Sequence, residues 1–322
     1  MLQVEQVSVI FHRNRQKPVQ ALQDVSFNLA PGESLGIVGE SGCGKSTLAR
    51  SILQLTSLQD GQIFWHGQSL AQMSRQQQQD FRRQAQLIFQ DPLEALNPRM
   101  TVAEIISEPL RNLTSLNPQE ITRRVKGLLL DMGLNEDQLH RYPHEFSGGQ
   151  CQRIGIARAM SIAPELLVCD EPVSALDVSV QAQIINLLQN LRREKNLALI
   201  FISHDLSIVQ HVSDQVLVLY QGRIMETAAT EILYQNPQHP YTRCLLEAIP
   251  RLDTRTQSTS ATTCQTPMLE RLEHPGQSSG CPFYARCNQA ISHCQTALPA
   301  LTTLEPGHLV ACHRVNHQPA VF

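Results

Sequence analysis

The segment GESGCGKST, Gly39 to Thr47, restricts what this chain can fold into more than any other. It satisfies G-x-x-x-x-G-K-[ST] in full. It lies between an apolar run of strand character, SLGIVG (Ser34 to Gly39), and KSTLARSILQL, whose apolar residues recur at helical spacing. Gly39, Gly42 and Gly44 let successive backbone N–H groups turn inward, together with Ser41 and Thr47. The following helix brings the positive end of its dipole to the same point. A polyphosphate suits such a cradle, with Lys45 reaching the β- and γ-phosphates and the Ser46 hydroxyl ligating Mg²⁺. Taken alone, the loop specifies a nucleoside triphosphate and a strand–loop–helix unit.

Around this unit the chain alternates. VEQVSVIF (Val4 to Phe11) and ALQDVSFNLA (Ala21 to Ala30) read as strands opening the chain, with GQIFWHG (Gly61 to Gly67) and AQLIFQ (Ala85 to Gln90) after the loop. From about residue 91 to 163 helical periodicity dominates, which predicts an inserted helical subdomain. Strands and helices then alternate through ELLVCDE, VSVQAQIINLLQNLRREK, LALIFISHD and DQVLVLYQG, the pattern of a mostly parallel sheet covered on both faces. The composition changes after Pro250. A polar Ser/Thr-rich stretch over 251–275 reads as a linker, and 276–322, with cysteine, histidine and proline, as a small appendage.

A hydrophobic fraction of 42% supports a sizeable core, and 17% charged residues is low without suggesting a membrane protein. The apolar runs, such as Leu197 to Ile202, have strand length and fall far short of a bilayer span. No basic-then-apolar leader opens the sequence, so a cytoplasmic protein is expected. A net charge of -3 provides no broad basic footprint for nucleic acid. Of nine cysteines, Cys281, Cys287, Cys294 and Cys312 cluster near the C-terminus, which in a reducing compartment suggests metal binding more than disulfides. Cys43 lies beside Lys45 at a helix start, so a lowered thiol pKa and blockage of the loop by alkylation are expected there.

Two further patterns carry chemistry. ELLVCDEP (Glu165 to Pro172) ends an apolar strand in two carboxylates, with Asp170 placed to hold Mg²⁺ and Glu171 to polarise the attacking water. FSGGQCQRIGIARAM (Phe146 to Met160) sets Ser147, Gly148, Gly149 and Gln150 at the head of a helical run, a second anion-binding helix N-terminus.

With these in order along the chain, the sequence resembles an ABC-type nucleotide-binding subunit from about Leu2 to Pro250. The resemblance makes Gly39 to Thr47 its Walker A loop and Leu166 to Asp170, followed by Glu171, its Walker B strand. It makes SGGQ at Ser147 to Gln150 the signature, Gln90 the Q-loop glutamine and a further Mg²⁺ contact, SALD at Ser174 to Asp177 the D-loop, and His204 the switch histidine. Phe146 stands where the family usually has leucine, and Phe11 takes by position the place of the adenine-stacking aromatic. The implied fold is a P-loop α/β domain: a mostly parallel sheet, an antiparallel β subdomain and the inserted helices. The implied chemistry is ATP hydrolysis with Glu171, His204 and Gln90 at the γ-phosphate. The implied assembly is a head-to-tail dimer in which each ATP is sandwiched between one subunit's loop and the other's SGGQ.

FQDPLEALNPRMTV (Phe89 to Val102), NPQHPYTRCLLEAIP (Asn236 to Pro250) and the terminal C-x5-C-x6-C run resemble the dipeptide, oligopeptide and nickel importer subfamily. That implies a second, homologous ATP-binding subunit, two transmembrane permease subunits and an extracytoplasmic solute-binding protein, with this chain peripheral on the cytoplasmic side of the inner membrane. Peptides are the expected cargo, with nickel or another small solute as the alternative. A soluble ABC ATPase outside transport is the more distant reading. For the four terminal cysteines the resemblance suggests a [4Fe-4S] cluster, and four thiolates also suit zinc.

Overall fold

The computed structural model describes residues 1–12, 18–249 and 280–316. The expected linker at 251–275 therefore lies outside the described residues. In chain order the first elements are β1 (Leu2–Phe11), β2 (Val19–Leu29), β3 (Ser34–Val38), α1 (Lys45–Ile52), β4 (Asp60–Trp65), β5 (Gln68–Ser69), α2 (Arg75–Gln84) and β6 (Ala85–Ile88). Helices α3 (Pro92–Ala95), α4 (Val102–Leu113), α5 (Pro118–Asp131) and α6 (Gly148–Met160) follow. Then come β7 (Leu166–Asp170), α7 (Val178–Lys195), β8 (Ala198–Ile202), α8 (Leu206–Val212), β9 (Gln215–Tyr220) and β10 (Arg223–Ala229). The remainder is α9 (Thr230–Gln235), α10 (Pro240–Glu247), α11 (Ser292–Thr296), β11 (Thr302–Glu305), β12 (His308–Val310) and α12 (His313–Asn316).

Among the described residues the strands form two sheets. β2-β1-β4-β5 is antiparallel, and the larger sheet runs β11-β12-β10-β9-β3-β8-β7-β6. Within the larger sheet β9, β3, β8, β7 and β6 are mutually parallel, and β10, β12 and β11 continue it antiparallel. The parallel strands are short apolar runs without alternation, and β3, β7 and β8 are buried at every position, as covered strands must be. β1 instead faces the core with Leu2 and Val4, then with Val7 and Val9. The phase slips by one at Gln6, whose φ is 51° where the pairing with β2 is irregular.

From α3 to α6 the described elements are helical. Thr101 with Glu104 and Asn117 with Glu120 form capping boxes that start α4 and α5, and Pro118 occupies the first turn of α5. Val102, Ile105, Ile106 and Leu110 of α4 pack with Val125 and Leu129 of α5 and Ile154 of α6. This helical body thereby stands on the same core as the parallel sheet.

The C-terminal segment does not hang free. β12 pairs with β10 through Glu226↔Val310 and Thr227↔Leu309, so the expected appendage extends the main sheet. Under that joint Glu226 is fully buried. Its carboxylate accepts from the backbone N–H groups of Gln238 (2.8 Å) and His239 (2.9 Å) and lies 2.8 Å from His308 Nε2. A carboxylate can be buried at this cost only when its oxygens are partnered in this way.

Candidate active site

Parallel strands deliver their C-terminal ends to one edge of a sheet, and here four neighbours in the order β3-β8-β7-β6 do so. β3 feeds the phosphate loop. Gly44 has a φ of 112°, and a Cβ there would lie 2.5 Å from the Ala21 carbonyl oxygen, so only glycine serves at the head of α1. α1 has no side-chain cap and no acidic residue in its first turn, which leaves its amides available to an anion. Lys45 is buried, and its Nζ donates to the carbonyls of Gly39 (2.7 Å) and Glu40 (2.9 Å). The loop thus holds the ammonium by its own oxygens over the cradle. Ser41 and Gly42 are exposed at the loop tip, and the Thr47 carbonyl is bonded by the Ser51 hydroxyl.

Ser46 Oγ donates to Asp170 Oδ1 at 2.9 Å, tying the loop to the end of β7. Burial raises the Asp170 pKa, the Ser46 hydrogen bond opposes that, and neighbouring Glu171 adds to it. A buried carboxylate with a hydroxyl beside it is a donor set that fits a hard cation such as Mg²⁺, which would relieve the desolvation.

One residue further, Glu171 takes a left-handed φ of 47°, and its N–H donates to the Ile202 carbonyl at 3.0 Å. This bend turns its carboxylate away from the strand line. Gln90 Nε2, just past β6, donates to Glu171 Oε2 at 3.1 Å, and His204 Nδ1, just past β8, lies 3.4 Å from the same oxygen. The Glu171 side chain is 17% exposed and that of His204 60%, so the glutamate sits inside and the histidine at the rim. The structure therefore brings Gln90, Glu171 and His204 together from three adjacent strands, next to the loop with Lys45 and Ser46.

The signature residues stand elsewhere. Ser147 caps α6 with a reciprocal box: Gln150 Oε1 accepts from the Ser147 N–H at 3.0 Å, and Ser147 Oγ accepts from Gln150 N–H at 3.4 Å. A Cβ on Gly149 would meet Val180 Cγ1 at 2.4 Å, so this glycine allows α6 to close on α7, while Gly148 opens the helix. Asp177 precedes α7, makes no capping hydrogen bond and is exposed, beside Val178 at 81% exposure. Among the described residues no hydrogen bond or ion pair joins Ser147, Gly148, Gly149 or Gln150 to Lys45, Ser46, Asp170 or Glu171. Phe11 ends β1 opposite Val19 and is 41% exposed, two residues of β2 before the Ala21 carbonyl that packs on Gly44.

One sequence expectation needs correction. Cys43 is buried and its thiol pKa is raised, because desolvation outweighs the nearby Lys45 charge. Burial therefore opposes the activation expected of this thiol. The terminal cysteines Cys281, Cys287, Cys294 and Cys312 line one small cavity with Phe283 and His313. Burial pushes the Cys281 thiol up to about 11 and raises that of Cys287. Among the described residues no three His, Cys, Asp or Glu side chains are arranged to hold one ion. Four thiols around one cavity are a donor set whose chemistry suits iron–sulfur or zinc.

Sequence reading missed contacts that the C-terminal elements make with the phosphate loop. Tyr241, fully buried on α10, accepts from the Glu40 N–H at 3.0 Å, and Arg286 pairs with the Glu40 carboxylate. The only signal for Tyr241 lay in the NPQHPYTRCLLEAIP resemblance, and Arg286 carried none.

With this geometry in hand, the similarities to known proteins are consistent among themselves. The family described as ABC transporter matches residues 22–174, and that described as oligopeptide/dipeptide transporter, C-terminal region, matches 225–294. The chain is 48% identical to the oligopeptide transport ATP-binding protein OppF of Haemophilus influenzae, over 92% of this chain and 89% of that protein. It is also 48% identical to OppF of Escherichia coli, over 93% of this chain and 89% of that one. Among solved structures, the dimeric ATP-binding cassette MJ0796 bound to ADP and Pi superposes with a TM-score of 0.65 at 26% identity. The match covers 71% of this chain and 99% of that one. CbiO1 from Clostridium perfringens, part of the ABC transporter complex cbiONQ, gives a TM-score of 0.64 at 28% identity, covering 73% and 90%.

Proposed function

This chain belongs to the ABC transporter ATP-binding family, of the oligopeptide and dipeptide type, and is an ATP hydrolase. From that premise we propose that it is the motor subunit of a membrane importer for small peptides. The motor part of the reading is carried by the meeting of Lys45, Ser46, Asp170, Gln90, Glu171 and His204 at the C-terminal edge of four parallel strands, and the peptide part by the similarity to oligopeptide transport subunits.

Lys45 leaves the Gly39 and Glu40 carbonyls for the phosphates, so binding exchanges neutral acceptors for anionic ones. Ser46, Asp170 and Gln90 are the residues that would hold Mg²⁺, which when bound would supply positive charge to offset that of the phosphates. Glu171 orients the attacking water and takes its proton. His204, beside the same carboxylate and exposed, reaches the γ-phosphate from the rim. Phe11 supplies an aromatic face for the base. Exposed Ser147 and Asp177, with Gly148 and Gln150 partly exposed beside Ser147 and Gly149 buried behind them, form the surface offered to a second ATP-binding subunit, whose loop they complete. That subunit is a homologue, and two permease subunits and an extracytoplasmic binding protein make up the rest of the assembly. No helix among the described residues is long and apolar enough to cross a membrane, and the reading places the chain as a peripheral subunit on the cytoplasmic face. We assign no step to a metal at the four cysteines. Metal analysis of anaerobically purified protein tests the expected cluster directly.

Purification of the chain with its membrane partners tests the proposal. Mg²⁺-dependent ATP hydrolysis that rises when a peptide-loaded binding protein is added supports it, and copurification of a binding protein holding nickel or no peptide removes the peptide assignment.

A further inference from the structure

Glu40 sets an electrostatic problem. It is a carboxylate within a loop whose purpose is to receive a polyphosphate, and it adjoins both Gly39 and the carbonyl that holds Lys45. The solution comes from the other end of the chain. Arg286, 246 residues away, meets Glu40 in a two-pronged pair, Nη1 to Oε2 at 2.9 Å and Nη2 to Oε1 at 2.8 Å. The guanidinium lies 5.8 Å from the Tyr220 ring centre and 5.6 Å from that of Phe283. These two rings pack with Tyr241, whose hydroxyl accepts from the Glu40 N–H. Glu40 is therefore held at its amide by α10 and at its carboxylate by the C-terminal segment, and its carbonyl is bonded by Lys45. The segment itself is pinned by β12 on β10 and by the buried Glu226–His308 contact, so Arg286 is delivered from a fixed base.

We propose that Arg286 is a positioning residue for nucleotide binding: it neutralises and fixes Glu40, so the phosphate loop is electrostatically complete only with the C-terminal segment docked. The proposal rests on the nucleotide reading of the loop. It differs from a purely mechanical tether in one respect. If Arg286 serves to cancel the Glu40 charge, removing that charge makes Arg286 dispensable. If it serves to hold the segment in place, removing Glu40 repairs nothing.

The test is a fluorescence titration of the full chain with trinitrophenyl-ATP. Unaltered chain is measured first; absence of binding overturns the nucleotide reading and this proposal together. Given binding, R286Q is expected to weaken it about fivefold at low salt, less at high salt, since the exposed carboxylate is then screened. R286K, which keeps the charge and loses the fork, falls between. The E40Q/R286Q double variant is expected to return to within about twofold of the unaltered chain. In turnover assays the R286Q effect appears in KM for ATP and not in kcat. An R286Q variant that binds as well as the unaltered chain overturns the proposal. So does a loss that E40Q fails to restore.

Discussion

At the head of α1 the chain has no side-chain cap, and the neighbouring loop is closed from below by its own lysine, by the Ser46–Asp170 bond and by the Tyr241 hydroxyl. At the head of α6 a comparable glycine-bearing N-terminus is capped by Ser147 and Gln150, with Ser147 exposed and, among the described residues, no hydrogen bond or ion pair to Lys45, Ser46, Asp170 or Glu171. Both present backbone amides and the positive end of a helix dipole. The difference lies in what surrounds them. The first has the buried Lys45, the buried Asp170 carboxylate and the partly buried Glu171 within its own fold. Among the described residues the second has no hydrogen bond or ion pair to these groups, and on the proposed function it serves a phosphate brought by a partner chain. On the proposed function such a chain holds one complete and one half-complete anion site, and the proposed dimer would join them.

The sharpest way to break this contrast is at the complete site. Glu171→Gln is expected to lower ATP hydrolysis by about 10²–10⁴-fold while ATP binding persists, and phosphate release beside nucleotide binding measures both. Equal turnover would remove Glu171 from its place at the water. Lys45→Ala is expected to weaken ATP binding by about 30- to 1000-fold, because the polyphosphate loses its charged partner in a desolvated loop. Ser147→Arg probes the half-complete site. It is expected to cut turnover about tenfold or more in the assembled dimer. Nucleotide binding to the same chain's loop should stay intact, and a matching loss of binding in the isolated chain would mean that the two sites are not separate.

The remaining test concerns acid. Burial lowers the His239 pKa to about 4, and its Nδ1 accepts from the Tyr241 N–H at the start of the helix that supports Glu40. The folded chain therefore refuses a proton that the unfolded chain takes up near pH 6.5. The stability this neutral imidazole contributes is full above that pH and is lost as pH falls from about 6.5 towards 4. At pH 5 the loss is on the order of 2 kcal/mol, read from urea melts at pH 7 and 5. His239→Asn is expected to flatten that slope, and an unchanged slope would show that other groups govern the acid limb.

Much of the architecture was legible because local rules and tertiary demands agreed. LLVCD and ALIFI are continuous apolar runs, and such runs form strands covered on both sides. The loop was legible because its glycines, lysine and serine must be contiguous to surround one phosphate group. Other features had no local trace. The helix RQQQQDFRRQ buries only Phe81, so no apolar stripe announces it, and Ser74 with Gln77 supplies its capping box. The raised pKa of Cys43 was also hidden, since sequence shows the adjacent lysine but not the burial that outweighs it.

By itself, then, the order of residues determined the nucleotide loop, the alternation of strands and helices and the kinds of side chain available for hydrolysis. These depend on neighbours a few positions apart. Only the tertiary structure decided that Gln90, Glu171 and His204 share one oxygen's surroundings, that Ser147 faces outward, and that Arg286 answers Glu40. Those pairings depend on strand order and on which groups lose water, and neither is written within a short window of sequence.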